Sequence, residues 1–274
     1  MDYQQPSLIK KEGSQTNSTS YDNPSLIEGN MKTLHDIINR KGRDLIIACS
    51  LGDGCISKQG QLIFNHSWKQ YEYALWKYNL LRHNGVKMGN FRRKECSNGY
   101  LSNTIQYRYN GNVTSFNKVL RRVMYKDGKK QYVRKLLNRL TPQGLAIWFM
   151  DDGTILRRKY KGQYKGFYLR ISTYCSSEQA DVIIKYFNEE HNIYPTKVCE
   201  HSKKDLYTIN FGAKEGKKLI DIIKPYMCPA MMYKVIYDVE ELKKYYDVQE
   251  VSEILMKCTL ESDRLLMEAR NNSK

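Results

Sequence analysis

Two aspartates stand at the ends of short apolar segments whose composition is typical of helices, and a glycine follows each of them. Asp53 ends the segment 43–54 (RDLIIACSLGDG), and Asp152 lies near the end of the segment 140–154 (LTPQGLAIWFMDDGT). The C-terminal end of a helix already carries partial negative charge, so a carboxylate there is unfavourable without a cation nearby. A lysine or a metal ion is therefore expected beside each one. The two aspartates are 99 residues apart, a spacing that suggests a duplicated domain.

The second segment carries recognisable helix boundaries. Thr141 suits the N-cap position, and Pro142 suits the first helical turn. Gly153 is predicted to end the helix in a left-handed conformation, which glycine adopts without a steric penalty. Asp151 and Asp152 therefore lie side by side at the C-terminal end of this helix.

The elements that position these residues recur in the same order. Each half reads as helix, two strands, helix, two strands and helix, which predicts an α+β fold of two pseudo-symmetric αββαββα halves. Each half would contain a four-stranded antiparallel sheet with helices on one face. The strand pairs are predicted at 55–65, 86–110, 154–173 and 196–211, and the later helices at 71–83, 113–125, 178–191 and 214–226. In helix 71–83 the spacing predicts a core stripe of Tyr71, Leu75, Tyr78 and Leu81.

Composition and element order together divide the chain into four parts. Residues 1–30 are rich in Ser, Asn, Gln and Thr, which is typical of a disordered tail. We predict an N-terminal half at 31–135, a C-terminal half at 136–237 and a helical C-terminal extension at 238–274.

The charge of the chain indicates a polyanionic partner. Its 274 residues carry 45 Lys and Arg against 29 Asp and Glu, for a net charge of +16, and they include 22 tyrosines. This balance favours nucleic acid binding, although a ribosome-associated protein or a merely basic enzyme has similar composition. The seven cysteines contain no Cys-x-x-Cys pair, so neither a zinc site nor a disulfide framework is predicted. With no signal peptide and no long apolar run, we expect a soluble intracellular protein of undetermined compartment.

The two acidic helix ends resemble the signature of a known enzyme family. Residues 46–54 (IIACSLGDG) and 145–153 (LAIWFMDDG) resemble the paired motifs of the single-chain LAGLIDADG homing endonucleases. The second half is most similar to a mitochondrial intron-encoded member, through WFMDDG at 148–153 and the segment 224–234 (KPYMCPAMMYK). The resemblance covers residues 40–237. It implies sheets that form a DNA-binding saddle, with the two motif helices packed together between the halves.

The resemblance also implies the residues of the active site. Parallel packing of the helices would bring Asp53 and Asp152 together as ligands of Mg²⁺ (or Mn²⁺), which would activate water and stabilise the leaving oxygen in phosphodiester hydrolysis. Gly52 and Asp151 complete the predicted metal set, although Asp151 would alternatively pair with a nearby base. Two lysines are expected near the scissile phosphates. They are Lys130, for which Lys129 is an equal candidate, and Lys234.

Two further features of the predicted site depart from the family pattern. Asn65 or His66 in the first half, and Thr173 or Tyr174 in the second, occupy the places where the family carries a water-positioning residue. The first motif helix has small residues, Ala48 and Gly52, for a close helix contact, whereas the second has Ile147 and Asp151 at the equivalent positions. The sequence therefore leaves the tightness of that contact open.

Basic residues crowd the predicted hairpins. A two-stranded ribbon fits the major groove of DNA, where Arg reads guanine, and lysines at turns more often hold phosphates. A basic turn also protects a sheet edge from aggregation, but the density in the segment 157–170 exceeds that need. The predicted DNA-binding residues are Lys87, Arg92, Arg93, Lys94, Arg157, Arg158, Lys159, Lys161, Lys165, Arg170, Lys203 and Lys204.

These observations predict a monomeric, metal-dependent, site-specific endonuclease that cuts both strands of a long asymmetric double-stranded DNA site. One alternative is an RNA maturase of the same fold that assists splicing and binds intron RNA. The other is a DNA-binding regulator of this fold that does not cleave. Retention of both aspartates favours the nuclease. No membrane partner is expected.

Overall fold

The structure is a computed structural model, and it describes residues 38–90, 92–96, 104–200 and 205–247. The tail predicted at 1–30, residues 97–103 of the strand pair predicted at 86–110, and Lys203 and Lys204 lie outside these ranges. Of the predicted C-terminal extension, residues 239–247 are helical, and the part from 248 onward lies outside the described residues.

The first half begins with a motif helix, α1, whose N-cap Asn39 accepts a hydrogen bond from the Gly42 amide at 2.7 Å. Two hairpins and two further helices follow it in the predicted order. Its elements are α1 (Arg40–Leu51), β1 (Cys55–Ile56), β2 (Leu62–Ser67), α2 (Tyr71–His83), β3 (Arg92–Cys96), β4 (Thr104–Asn110), α3 (Ser115–Met124), β5 (Tyr125–Lys126) and β6 (Lys129–Lys130).

The second half repeats this order after a one-turn helix. Thr141 caps its motif helix by accepting from the Gly144 amide, with Pro142 in the first turn, as predicted. The elements are α4 (Arg134–Leu137), α5 (Pro142–Asp152), β7 (Gly153–Tyr160), β8 (Gln163–Cys175), α6 (Ser177–His191), β9 (Thr196–Cys199), β10 (Tyr207–Phe211) and α7 (Ala213–Ile223), followed by 3₁₀ turns at Lys224–Tyr226 and Pro229–Lys234.

Each half contains a four-stranded antiparallel sheet, which confirms the predicted fold class. The strand orders are β1-β2-β4-β3 and β7-β8-β10-β9, so the second hairpin of each half pairs with the long strand of the first. The sheet positions alternate between buried and open along β8, because successive side chains of a strand point to opposite faces. One face of each sheet therefore packs on helices, and the other is left open.

The two motif helices pack closely and run in the same direction. Ala48 of α1 faces Gly144 of α5, where an added Cβ would lie 3.4 Å from the Ala48 Cβ. Further along, a Cβ on Gly52 would overlap the Asp151 side chain. The contact left open by the sequence is thus tight, because Gly144 supplies the small residue that Ile147 does not.

The glycine after each motif aspartate has a steric role, and Gly153 does not adopt the left-handed conformation predicted for it. Gly153 has φ −83° and ψ 150°, an extended conformation open to other residues. A Cβ there would overlap the carbonyl oxygen and ring of Phe149, and a Cβ on Gly54 would overlap the carbonyl oxygen of Cys49. Glycine is needed because the chain turns back against the last turn of each helix.

The core is continuous across the halves, and its largest fully buried side chain among the described residues is Trp148 of α5. Helix α2 differs from its predicted core stripe. Its buried residues are Tyr73, Ala74, Lys77 and Leu81, so the helix is rotated relative to the predicted apolar face and buries a lysine. Within the described ranges, no helix combines the length and apolar character needed to cross a bilayer.

Candidate active site

The C-terminal ends of α1 and α5 bring three acidic side chains together. The Asp53 amide donates a hydrogen bond to Asp151 Oδ2 at 3.1 Å across the helix contact. Burial, and then the neighbouring Asp151 charge, raise the pKa of Asp53 above its usual value, although its side chain is 40% exposed. Burial, followed by the charges of Asp151 and Asp53, raises the pKa of Asp152 to about 7. These mutually repelling carboxylates form the predicted acidic centre.

Two lysines meet the ends of the motif helices, one from each half. Lys130 Nζ donates to the carbonyl oxygens of Gly52 at 2.6 Å, Gly54 at 3.3 Å and Leu51 at 3.4 Å. Lys234 Nζ donates to the Met150 carbonyl oxygen at 2.5 Å. These contacts offset the negative helix ends.

Of the two candidate lysines, Lys130 makes these contacts with the end of α1. Lys129 is exposed, while burial lowers the pKa of both Lys130 and Lys234 below the usual lysine value. The two lysines thus occupy matching places in the two halves.

Asp151 is the acidic residue whose partners the sequence left open. Its side chain is fully buried, and Oδ1 lies 2.5 Å from Lys77 Nζ and 2.6 Å from the Tyr73 hydroxyl. Because its other oxygen accepts from the Asp53 amide, both oxygens are engaged. Burial raises its pKa, but Lys77 and the other polar neighbours of the carboxylate together lower the pKa overall. Asp151 therefore belongs to the buried ion pair, and its place in the predicted metal set stays a prediction.

His66, not Asn65, is the polar residue that approaches the first motif aspartate. It is buried, its Nε2 lies 3.1 Å from Lys77 Nζ, and its Nδ1 lies 3.8 Å from Asp53 Oδ2. Burial and then the Lys77 charge lower the pKa of His66 to about 3, so the ring is neutral. Since an ammonium group only donates, Nε2 must accept and Nδ1 carries the proton. Asn65 is exposed.

The second half has no equivalent of His66 at the two predicted positions. The Thr173 hydroxyl donates to the Tyr207 carbonyl oxygen at 2.9 Å, and Tyr174 is exposed with a φ of 43°. Neither side chain presents a free polar group from the buried face of β8. The two halves are therefore similar in backbone and different in their polar residues.

The acidic centre fits a hard divalent cation. Ligand atoms from Asp53, His66 and Asp151 lie within 4.8 Å of one another, but Asp151 is paired with Lys77 and the His66 Nδ1 carries a proton. The carboxyl oxygens of Asp53 and Asp152 remain, and such oxygen ligands suit Mg²⁺ or Mn²⁺. The Gly52 carbonyl oxygen keeps a second lone pair beside Lys130, so its role as a ligand stays a prediction.

Without metal, the protein is expected to lose stability as Asp152 ionises. The folded protein keeps this carboxyl protonated up to about pH 7, whereas the unfolded chain ionises near about pH 4. The folded state therefore binds the extra proton between these values, and the free energy of unfolding falls as the pH rises through that window. Because asparagine cannot ionise, Asp152→Asn should be more stable than the parent by about 2–4 kcal/mol at pH 8, and by less at pH 5. Urea unfolding in EDTA at both pH values measures this difference.

Metal should reverse this loss. Mg²⁺ at pH 8 is expected to raise the Tm of the parent protein and to leave that of Asp152→Asn nearly unchanged. If the free energy of unfolding changed with pH in the same way in both proteins, a raised pKa for the Asp152 carboxyl would be contradicted.

The open face of the second sheet carries a cluster of basic and aromatic side chains. Arg158 of β7 and Arg170 of β8 lie over the Tyr168 ring, at 5.1 and 5.9 Å from its centroid. Arg170 Nε also donates to Asn210 Oδ1 at 3.1 Å. The predicted lysines of this hairpin are exposed at and beside its turn: Lys159, Lys161 and Lys165.

Arg157 lies on the opposite face, which corrects its predicted role in DNA binding. Its guanidinium donates to the carbonyl oxygens of Tyr233, at 3.2 Å, and Ile236. Arg157 shares the face of Ile155, which is buried, so this arginine ties the hairpin to the segment after α7. We remove it from the DNA-binding set.

The first sheet places its predicted basic residues less uniformly. The strand register pairs Arg108 with Arg92 on one side and with Asn65 on the other, and all three lie on the open face. Arg93 lies opposite Tyr107, on the other face of the sheet. Lys94 follows in β3, and Lys87 is exposed before that strand. Arg108 is a residue that sequence reasoning missed. Arg108 donates to Asn110 at 3.2 Å. Residues two apart in a strand share a face, so this spacing could have indicated a polar pair on one face of the sheet.

Comparison with known proteins identifies the family. The sequence matches the family described as LAGLIDADG DNA endonuclease over residues 43–219. It is 25% identical over 205 residues to protein RecA of Mycobacterium gastri, an alignment that covers 70% of this chain and 46% of that protein. It is 27% identical over 233 residues to cytochrome b mRNA maturase bI2 of Saccharomyces cerevisiae, covering 78% of this chain and 53% of that protein. The chain spans about half the length of these curated relatives.

A solved structure has the same fold. The homing endonuclease I-WcaI, bound to its DNA recognition sequence, superposes with a TM-score of 0.63 at 22% sequence identity, covering 83% of this chain and 96% of that one. The particular similarity of the second half to a mitochondrial intron-encoded member stays a prediction. The family match spans more than half of the chain and includes both acidic helix ends. This protein therefore belongs to the LAGLIDADG DNA endonuclease family.

Proposed function

We propose that this protein is a site-specific homing endonuclease that uses a divalent metal to cut both strands of a long, asymmetric DNA site. The observation that carries the proposal is the acidic centre where α1 and α5 end, because two carboxylates with raised pKa values meet there. Family membership supports the reaction class. Both motif helices belong to one chain, which supports action as a monomer, and their different neighbours support a non-palindromic site.

The residues of the site have separable roles in this proposal. Asp53 and Asp152 would hold the metal, Mg²⁺ or Mn²⁺, which when bound supplies Lewis-acid stabilisation of the charge that develops on the phosphodiester. Lys130 and Lys234, already directed at the helix ends, would offset charge on phosphate oxygens. The proton on His66 Nδ1 would orient a water molecule beside Asp53.

A two-step selection tests this function. Duplexes that bind the full chain are first selected from a randomised library in metal-free buffer, and the selected pool is then incubated with Mg²⁺ or EDTA. The proposal expects double-strand cuts at one enriched, non-palindromic sequence with Mg²⁺ and none with EDTA. Enriched binding without cuts in either Mg²⁺ or Mn²⁺ would overturn it and would support the non-cleaving regulator.

A splicing role is the second candidate, and the similarity to the maturase bI2 favours it. In that reading the same fold would bind an intron RNA. Splicing of a host intron in the presence of the protein, measured beside DNA cleavage, separates the two candidates. An Asp53→Asn/Asp152→Asn protein that still supports splicing would show that the RNA activity does not need the acidic centre.

The open-face cluster should contribute measurably to DNA affinity. Arg158→Gln is expected to weaken binding of the selected duplex by about 1–3 kcal/mol if the arginine reads a base. If it contacts a phosphate instead, the salt dependence of binding should fall by about one unit of slope. Binding measured from low to high salt distinguishes the two.

Lys185→Gln is the matched control for this change. Lys185 lies on α6 with a 71% exposed side chain and pairs with Glu189 on the helix side of the sheet. The control removes the same charge away from the open face and should leave affinity nearly unchanged. Equal losses in both variants would mean that only net charge matters.

A further inference from the structure

A buried polar network lies behind the first acidic helix end. It comprises Tyr73 and Lys77 of α2, His66 of β2 and Asp151 of α5, and their side chains are buried. Lys77 is the only lysine or arginine with a buried side chain among the described residues. The network spans both halves, since its carboxylate comes from the second half and its cation from the first.

The hydrogen bonds of the network converge on Asp53. Lys77 Nζ donates to Asp151 Oδ1 at 2.5 Å and to His66 Nε2 at 3.1 Å. Asp151 Oδ2 in turn accepts from the Asp53 amide at 3.1 Å. The Lys77 ammonium group therefore contacts the imidazole next to the Asp53 carboxylate directly, and it is linked to the Asp53 backbone through Asp151.

The ammonium group is also fixed from its other sides. Nζ lies 4.6 Å from the centroid of the Tyr73 ring and 5.2 Å from that of Phe64. A cation over aromatic faces in a desolvated site is stabilised by their quadrupoles. Because these neighbours are buried, the position of Nζ is fixed by packed side chains.

Such a buried pair is a poor source of stability by itself. Removing two charges from water costs about as much as their attraction returns, and apolar residues of similar size often serve as well or better. A buried pair that also orients a neighbouring group has a role that apolar residues lack. Replacing a group that orients a metal ligand typically lowers metal affinity or activity by about 10–100-fold.

Among the residues that the structure describes, the second half has no buried ion pair of this kind behind Asp152. The corresponding helix, α6, buries Ala180, Ile183, Tyr186 and Phe187, and its buried face carries no charged residue. We propose that Lys77 and Asp151 are positioning residues for Asp53 alone, so that the two DNA strands are cut by chemically unequal sites. This inference rests on the proposed nuclease function.

A strand-resolved cleavage assay tests the inference. The selected duplex carries a different label on each strand, and the cleavage rate of each strand is measured with Mg²⁺. Asp53→Asn identifies the dependent strand, which is the one whose cleavage it slows more. Lys77→Met, which removes the charge and keeps the packing of the stem, should slow the dependent strand by about 10–100-fold. The other strand and the duplex Kd should change by no more than about twofold, well below this range.

A double variant guards against simple unfolding. Lys77→Met/Asp151→Ala leaves no buried charge unpaired, and it should show the same strand bias. Tyr73→Phe, which removes one donor to Asp151, should give a smaller bias in the same direction.

The outcomes separate the inference from the function it rests on. If the parent cuts both strands and the folded variants keep the parent ratio of strand rates, the positioning role is overturned and the nuclease function stands. If the parent binds the selected duplex and cuts neither strand, both are overturned.

Discussion

Replacing Asp152 by asparagine should abolish double-strand cleavage, while the protein still binds its duplex. The substitution keeps the size of the side chain and removes the charge that a divalent ion needs. Loss of a metal-ligating carboxylate is expected to raise the barrier by roughly 4 kcal/mol or more, about 10³-fold in rate. Binding should persist because the proposed function assigns DNA contacts to the open sheet faces. Cleavage and gel-shift assays on the same labelled duplex measure the two effects separately.

The counterpart and the control sharpen this expectation. Asp53→Asn should also prevent double-strand cleavage, since each motif helix contributes one carboxylate. Asp221→Asn makes the same chemical change at an exposed position of α7 and should cut like the parent. Full double-strand cleavage by Asp152→Asn would remove this residue from the active site.

Replacing Asp151 by alanine should destabilise the protein by about 3–5 kcal/mol, because it leaves the fully buried Lys77 ammonium group without its carboxylate. Lys77→Met should also destabilise, since it leaves the Asp151 charge buried and unpaired. The double variant Lys77→Met/Asp151→Ala should cost less than the sum of the single changes, because neither charge remains. Urea unfolding of the four proteins in a double-mutant cycle gives the coupling free energy.

The cycle also has a clear contrary result. Single variants that each lie within about 1 kcal/mol of the parent, with additive effects, would mean that the pair is not coupled. Arg134 offers a comparison, because its contacts with Glu189 and Glu190 are exposed. Arg134→Met should therefore leave the stability close to that of the parent.

The elements of the fold were predictable because local signals and burial patterns agree. Thr141 and Pro142 start α5 as expected, and the turn at Lys161 and Gly162 has the positive φ values that a tight hairpin needs. These features depend on neighbouring residues only. The repeated order of elements then sufficed to predict two similar sheets.

The details of the site depend on contacts between distant segments, which local patterns do not contain. Nothing near Asp151 in the sequence indicates that Lys77 of α2 is its partner, and the apolar spacing of that helix favoured a different buried face. Arg157 shows the same limit, because the face of a strand residue is known only once its register is known. His66 was a candidate, but only the structure distinguishes it from Asn65.

The contact of Gly52 with Asp151 makes the two halves complementary and not interchangeable. Two copies of the first half, joined through their own α1 helices, would leave both Lys77 side chains without an acid. Two copies of the second half would set Asp151 against Asp151. A symmetric protein assembled from either half alone is thus disfavoured at its centre. A chimaera that combines one half with half of a relative must therefore keep Asp151 together with its partners Lys77 and Tyr73.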